Sequence, residues 1–233
     1  MNVVALIPAY NEAGRIEDTV AAARRVDSVD RVIVIDDGSH DPTAERARLC
    51  GAEVLRLEDN RGKGGALAAG VEHIAGSADV IVFLDADLGD TAEQAGALIA
   101  PVAGGRADMT VAMFPPAEGP RGFGLVKHLA RSGIRALTGY DAEAPLSGQR
   151  ALSRAALEAA VPLADGFGAE VALTVRVCRA GLTVLEVPTT MAHAATGRDL
   201  AGFMHRGRQF GHVAITLARL ALERQPVSVS PGR

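Results

Sequence analysis

The chain lacks tryptophan and only 3% of its residues are aromatic, so its core would be built mostly from alanine, valine, leucine and isoleucine. It has only two cysteines, Cys50 and Cys178, which lie in apolar helical patterns without the spacing of a metal site. We interpret both as reduced, buried thiols, as expected in a reducing compartment. The composition therefore excludes a disulfide-stabilised scaffold and a cysteine-based metal site.

Long apolar runs are also missing. No uninterrupted stretch approaches the ~20 apolar residues of a membrane span. The first residues, MNVVALIPAYNE, have neither a basic n-region nor a cleavage signal. The expected location is therefore the cytoplasm, and peripheral contact with the inner face of a membrane stays open.

An excess of positive charge is absent too. The net charge is −4 and the pI is near 5.9, which argues against a nucleic-acid partner because such proteins usually carry a basic surface. A phosphate-bearing ligand would have to meet local cations. The length of 233 residues suits a single α/β domain.

The first half of the chain alternates short apolar runs with helical patterns. Strands that are apolar along their whole length are typical of a parallel sheet covered by helices on both faces. Ligands of such sheets bind at the carboxyl ends of the strands. The predicted strands are 3–8, 31–36, 52–57, 79–85 and 108–113, and the predicted helices are 12–25, 43–49, 64–75 and 91–100.

The second half begins with FPPAEGPRGFG, a loop rich in proline and glycine that is typical of an active-site lid. The predicted elements that follow are a helix over 125–137, a turn over 145–152 that enters a short element, a helix over 167–180 and a strand over 182–188. The last helix, 199–224, is amphipathic, and we expect it to pack on the rest of the chain or on a second copy in a homodimer. Its predicted apolar face consists of Phe203, Phe210, Val213, Leu217 and Leu220.

Four polar motifs stand where predicted strands end. Each alone is weak, because aspartate and glycine are common turn residues. The carboxyl ends of parallel strands share one edge of a sheet, so we expect all four motifs to lie along it. They are PAYNE at 8–12, DDGSHD at 36–41, NRGKGGA at 60–66 and DADLGD at 85–90.

Asp85 and Asp87 leave an apolar strand together, and two neighbouring carboxylates repel each other unless a cation or a proton intervenes. Mg²⁺ or Mn²⁺ prefers carboxylate oxygens and keeps open positions for phosphate. The alternative is helix capping by Asp87 or Asp90. An EF-hand is excluded because position 12 of such a loop would be Gly96.

Lys63 lies among glycines that permit close approach of a ligand, and its ammonium suits a phosphate or a base. A Walker A motif is excluded because Gly64 follows Lys63 directly. The alternative is a solvated loop lysine. Asp36 and Asp37 are placed to accept hydrogen bonds from a base or a ribose, and their alternative is a turn.

The motifs PAYNE, DDGS, GKGGAL and FLDADL, in this order, resemble the nucleotide-sugar-binding half of family-2 glycosyltransferases with the GT-A fold, and in that half they resemble the well-known dolichol-phosphate mannose synthases. In the second half, PLSGQRALSR, GFGAEVAL and a histidine after the EVP strand resemble glucosyl-3-phosphoglycerate synthases. The resemblance implies one Rossmann-like α/β domain over 1–233, with a mainly parallel sheet flanked by helices. Its parts would be a nucleotide-sugar-binding half (1–115), an acceptor and sugar half (116–198) and the last helix (199–224).

The resemblance also implies roles for individual residues. It makes Asp87 and His193 the metal ligands, with a loop histidine that contacts nothing as the alternative for His193. Apart from the resemblance, the candidate catalytic residues are Asp87, Glu170 and Asp165, the last two because inverting transfer to a hydroxyl would need a carboxylate base. The donor-binding residues would be Pro8, Ala9, Tyr10, Glu12, Asp37, Lys63, Asp85, Ala86, Gly148 and Glu170.

A basic cluster would hold the acceptor phosphate. Lys127, Arg131 and Arg135 are spaced by four and share a helical face, and Arg121 precedes them. A solvated cationic face is the alternative. With Phe123 and Leu125, the same cluster suits a polyprenyl phosphate at an anionic membrane surface.

The sequence thus predicts a Mg²⁺- or Mn²⁺-dependent hexosyltransferase that uses a UDP- or GDP-linked sugar. Its acceptor would be polyprenyl phosphate or a small phosphorylated metabolite such as 3-phosphoglycerate. Inverting and retaining chemistry both stay open. Two alternatives are a non-catalytic nucleotide-sugar-binding module and a Mg²⁺-dependent phosphatase, the latter disfavoured by Gly89 after the aspartate pair.

Overall fold

Seven strands form a single mixed sheet in the computed structural model, which describes residues 1–74, 76–115, 124–164, 166–192 and 201–223. The strand order is β3-β2-β1-β4-β6-β5-β7, and only β6 runs antiparallel, to both β4 and β5. The predicted, mainly parallel α/β sheet is therefore confirmed. The strands are β1 (Val3–Ala9), β2 (Arg31–Asp36), β3 (Glu53–Arg56), β4 (Val80–Phe83), β5 (Met109–Met113), β6 (Arg150–Ser153) and β7 (Val184–Pro188).

Eight α-helices accompany these strands in the described part of the chain. Most bounds differ from the predicted ones by a few residues, as is usual for helix ends. The helices are α1 (Ile16–Arg24), α2 (Thr43–Leu49), α3 (Gly62–Ile74), α4 (Ala95–Ala103), α5 (Gly124–Thr138), α6 (Arg154–Ala160), α7 (Ala169–Arg179) and α8 (Ala201–Leu222).

Three details of the helix predictions were wrong. A 3₁₀ turn, Gly89–Gln94, precedes α4, so the α-helix begins later than expected and extends further. Helix α3 begins at Gly62, which puts Lys63 in a first helical turn rather than in a loop. Helix α6 was not predicted, although Ser153 caps it by accepting a hydrogen bond from the backbone N–H of Ala156 at 3.2 Å.

The core lies on both faces of the sheet because successive side chains of a strand point to opposite faces. In β1, Ala5 and Ile7 pack into the cluster under α1 and α4, whereas Val4 and Leu6 pack into the cluster under α3, α6 and α7. All four side chains are fully buried. Burial of this kind stabilises a fold by about 25 cal/mol for each Å² of apolar surface.

A third apolar cluster joins α5, α7 and α8. Val213 and Leu220 of α8 are buried in it, as predicted, and Leu217 is partly buried against it. Phe210 is a correction, because 45% of its surface is exposed. The side chain of Phe203 lies outside the described part. Among the helices that the structure describes, none has both the length and the apolarity to cross a membrane.

Candidate functional site

The end of β1 carries the PAYNE motif in a turn fixed by backbone hydrogen bonds. Asn11 has a positive φ of 54°, uncommon for a residue other than glycine. Its backbone N–H donates to the Ser39 hydroxyl at 2.9 Å, and its side-chain oxygen accepts from the N–H of His40 at 2.9 Å. Tyr10 is exposed, with its ring edge-on to that of His40. The turn therefore ties the end of β1 to the end of β2.

Asp36 and Asp37 at the end of β2 are both buried. Asp37 accepts a hydrogen bond from the backbone N–H of Arg61 at 2.8 Å, which links β2 to the start of α3. Asp36 accepts from the N–H of Ser39 at 3.0 Å, and Arg56 Nε lies 3.3 Å from its second oxygen. Asp36 therefore supports the turn, and Asp37 is fixed beside the glycine-rich start of α3.

Lys63 is the centre of the site. Its ammonium lies 2.6 Å from Asp85 Oδ1 and 3.5 Å from Glu170 Oε1. Burial opposes the charged form, but the two carboxylates outweigh it and raise the pKa of Lys63 above its ordinary value. Lys63 is therefore an ion-paired cation rather than a solvated loop lysine, and it connects α3, the end of β4 and the start of α7.

Gly148 and Gln149 complete this cluster from the loop before β6. A Cβ atom added to Gly148 would lie 2.2 Å from Lys63 Nζ and 3.5 Å from Asp85 Oδ1, so any other residue there would displace the amine from its observed position. The Gln149 side-chain N–H donates to Asp85 Oδ2 at 2.8 Å. Sequence reasoning assigned no role to Gln149. Its one signal was a pair of adjacent polar residues, Gln149 and Arg150, directly before two apolar residues in SGQRAL.

Asp87 lies two residues further along and is half-buried. Its turn is anchored to α1, because the Thr19 hydroxyl donates to the Ala86 carbonyl at 2.9 Å and accepts from the Gly89 N–H at 2.9 Å. Thr19 is fully buried, and the sequence prediction missed it because a helical threonine carries no signal of its own.

The carboxylates of Asp87 and Glu12 are close enough to interact. Burial raises the pKa of Glu12, Arg15 lowers it, and the charge of Asp87 raises it further. Hard carboxylate oxygens with mutual repulsion fit a divalent cation. Within the described residues, however, no group of three or more His, Cys, Asp or Glu side chains converges on one point. The other predicted ligand, His193, lies outside the described residues.

The other predicted donor residues line the same edge. Pro8 and Ala9 end β1, and the Ala9 carbonyl accepts from the N–H of Asp37 at 2.9 Å. Ala86 is buried beside Asp87. The structure therefore brings the predicted donor set together, from Pro8 at one strand end to Glu170 on α7. Asp165, a candidate base, lies outside the described residues.

The predicted acceptor cluster lies on α5. Lys127 and Arg135 are exposed, and Arg131 stands between them on the same face. Arg131 has a partner that the sequence did not indicate, because its guanidinium donates to both oxygens of Asp141 at 2.7 and 2.6 Å. Arg121 lies outside the described residues. Lys127 and Arg135 therefore keep the exposure that an acceptor phosphate requires.

Comparison with known proteins identifies the family and the fold of the chain. Residues 4–161 match the family model described as glycosyl transferase family 2. Glycosyltransferase AglJ of Haloferax volcanii is 32% identical over 205 residues, which cover 84% of this chain and 65% of AglJ. This chain thus spans slightly less than two thirds of that relative. Undecaprenyl-phosphate mannosyltransferase of Micrococcus luteus is 28% identical over 237 residues, 95% of each chain.

Solved structures of a similar shape include glucosyl-3-phosphoglycerate synthase from Mycobacterium tuberculosis, in complex with Mn²⁺, UDP and glucosyl-3-phosphoglycerate. The two chains superpose with a TM-score of 0.75 and are 30% identical in sequence. The match covers 96% of this chain and 81% of the synthase chain. The same enzyme with Mg²⁺ and UDP gives a TM-score of 0.77. The GT-A fold predicted from the motifs is therefore confirmed.

Proposed function

The chain is a member of glycosyl transferase family 2, and on that premise we propose that it is a metal-dependent glycosyltransferase with a nucleoside diphosphate sugar as donor and a phosphorylated acceptor. The observation that carries the proposal is the contact of Lys63 with both Asp85 and Glu170. Through that contact the strand-end edge meets α7, a helix of the acceptor and sugar half (116–198). One site thus has polar groups for a nucleotide and for a sugar.

The donor would lie along the edge from β2 to β4. The buried Asp37 carboxylate is fixed by the Arg61 N–H and supports recognition of the base. Asp85 and Lys63 support the ribose and the diphosphate, since an ammonium near phosphate is a charge-assisted donor. Glu170, 3.5 Å from Lys63, supports recognition of the sugar hydroxyls.

Asp87 would hold Mg²⁺ or Mn²⁺, with His193 as a second ligand. When bound, the ion would neutralise charge on the diphosphate as the bond to the sugar breaks. The residues of this chain would do the remaining work. Lys63 stays protonated at neutral pH because its carboxylate partners outweigh the effect of burial on its pKa, so it would offer a fixed positive charge beside the leaving group.

The acceptor site would lie at Lys127 and Arg135 on α5. A phosphate acceptor is already an anion and needs no base, whereas a hydroxyl acceptor would use Glu170 or Asp165. The Micrococcus luteus relative is named for undecaprenyl phosphate, and the Mycobacterium tuberculosis synthase structure holds glucosyl-3-phosphoglycerate. If the acceptor is a polyprenyl phosphate, the exposed Leu125 beside Lys127 would meet the surface of the membrane.

The test of this proposal is release of nucleoside diphosphate. Purified protein with Mn²⁺ is incubated with UDP- and GDP-linked sugars, each with and without a polyprenyl phosphate in detergent or 3-phosphoglycerate. We expect release from one donor, increased by one acceptor. Asp87→Ala should abolish it, whereas the matched variant Asp90→Ala should not, because Asp90 is exposed and paired with Arg25.

The other outcomes separate the alternatives. Donor binding without release from any donor and acceptor pair would favour the binding module. Release of inorganic phosphate from a phosphate ester, without use of a nucleotide sugar, would favour the phosphatase. Equal loss of activity in Asp87→Ala and Asp90→Ala would contradict the metal role of Asp87.

A further inference from the structure

Among the side chains that the structure describes, Arg150 is the largest that is completely buried, with 1% of its surface exposed. Burial lowers its pKa to about 10, although Glu170 and Tyr140 raise it in part. In the part of the chain that the structure describes, no carboxylate forms an ion pair with it. Burying an unpaired charge is costly unless its donors are satisfied, so the contacts of Arg150 need an explanation.

The guanidinium instead donates to uncharged oxygens of two separate elements. Its Nε donates to the Ser147 carbonyl at 2.8 Å, and Nη2 lies 3.5 Å from the Pro145 carbonyl, both in the loop before β6. Its Nη1 donates to the Thr174 hydroxyl on α7 at 2.8 Å. One side chain therefore joins the loop to the helix.

Both ends of this connection lead directly to the ligand-binding residues. Ser147 precedes Gly148, whose backbone approaches Lys63 so closely that a Cβ atom would clash with the amine. The Thr174 hydroxyl donates in turn to the Glu170 carbonyl at 2.9 Å. The contacts thus connect the Gly148 loop, through Arg150 and Thr174, to the backbone of Glu170.

We propose that Arg150 is a positioning residue that fixes the Gly148 loop relative to Glu170, and so sets the compartment for the transferred sugar. The inference rests on the proposed function. The planar guanidinium suits this task because its donors lie in a fixed fork. Lysine would keep the charge, but a single ammonium cannot reproduce that fork across a loop and a helix.

Because Arg150 contacts the Gly148 loop and α7, we expect its substitution to give a specific kinetic pattern. The nucleoside part of the donor would contact Asp37 and the strand ends, which Arg150 does not touch. Substitution of Arg150 should therefore lower kcat. It should also reduce the difference in affinity between the full sugar donor and the bare nucleoside diphosphate. A displacement of about 1 Å in a positioned group lowers kcat about 100-fold.

The experiment compares Arg150→Lys, Thr174→Val and Thr174→Ser with the wild type and with Arg154→Lys. Arg154 follows the same strand but bonds to the Ala78 carbonyl at the opposite end of the sheet. We expect Arg150→Lys and Thr174→Val to lower kcat about 10- to 100-fold with unchanged affinity for the nucleoside diphosphate. Thr174→Ser should restore kcat, and Arg154→Lys should leave it unchanged.

A second readout does not depend on turnover. The chain has only two lysines, Lys63 and Lys127, so mass spectrometry after acylation reports each one separately. Lys63 should react slowly in the wild type, because its ion pairs keep it protonated, and faster in Thr174→Val and Arg150→Met. Lys127 is the internal reference because it lies exposed on α5.

The outcomes decide the two proposals separately. If the wild type uses no donor, the proposed function fails, and equal acylation of Lys63 in the wild type and the variants would then overturn the role of Arg150. If the wild type turns over, wild-type kcat in both Arg150→Lys and Thr174→Val would overturn it. A parallel loss of nucleoside diphosphate affinity and kcat would also overturn it, since that is the pattern of general damage to the fold.

Discussion

The two halves of the molecule hold their polar side chains in different ways. In the first half, residues 1–115, backbone N–H groups of the loops fix two polar side chains at the sheet edge: the N–H of Arg61 donates to Asp37, and the N–H of His40 donates to Asn11. In the second half, two side chains near the site bond to side chains far along the sequence: Gln149 donates to Asp85, and Arg150 donates to Thr174. A site built on the sheet edge is thus completed by contacts that the edge itself does not provide.

The largest expected effect lies where the halves meet. Lys63→Met and Glu170→Gln should each lower kcat/KM about 100-fold, because a charge or hydrogen bond aimed at the reacting part of the donor is worth about that much. The measurement is steady-state release of nucleoside diphosphate. Glu158→Gln is the matched control, since Glu158 is exposed on α6. Wild-type kinetics in Glu170→Gln would show that the second half does not reach the donor.

A change confined to the first half should alter a different quantity. Asp37→Ala should weaken binding of the nucleoside diphosphate about tenfold, through loss of one charged hydrogen-bond acceptor, and should leave the added affinity of the sugar unchanged. Calorimetric titration with the nucleoside diphosphate and with the full donor separates the two. Asp27→Ala, at an exposed aspartate, is the control. If Asp37→Ala also removed the added affinity that the sugar gives, the result would contradict separate roles for the two halves.

A smaller effect is expected at the acceptor. Lys127→Ala should raise the acceptor KM about three- to tenfold without changing donor binding, because one exposed phosphate contact contributes about 1 kcal/mol. The effect should shrink at high salt. Arg106→Ala, at an exposed arginine outside α5, is the control. An unchanged acceptor KM in Lys127→Ala would favour the solvated-face interpretation.

The smallest effect concerns pH. Asp85 and Glu170 raise the pKa of Lys63 above its usual value despite burial. A base with a raised pKa in the folded state contributes stability that is complete below its unfolded pKa of about 10.4 and is lost only as the pH rises through the folded value. The difference in unfolding free energy between the wild type and Lys63→Met should therefore stay constant from about pH 7 to about pH 9.5. A difference that declines over that range would contradict the ion pairs.

The same division explains how far the sequence could predict the structure. Asp37, Lys63, Asp85 and Asp87 follow apolar runs, and the carboxyl ends of parallel strands must share an edge. Their assembly was therefore predictable from the order of the strands. Glu170 was found only through resemblance, because nothing in its local pattern distinguishes it from other helical glutamates.

The residues that support the site were not predictable in this way. Thr19, Gln149 and Arg150 act through partners 67, 64 and 24 positions away, respectively. The antiparallel insertion of β6 between β4 and β5 brings Gln149 to Asp85. Nothing in the four residues of β6 indicates which strands it pairs with in the sheet. These contacts therefore follow from the topology of the sheet and not from a local sequence pattern.

The most direct test of the account is a double-mutant cycle between Lys63 and Glu170, which belong to the two halves. The quantity is kcat/KM for donor use in the wild type, Lys63→Met, Glu170→Gln and the double variant. Because the proposed function makes the two groups one unit around the sugar, we predict that the double variant is about as slow as either single variant. For two 100-fold losses this is a coupling of about 2.7 kcal/mol. Fully additive losses would mean that the groups act independently, and would contradict a single site shared by the two halves.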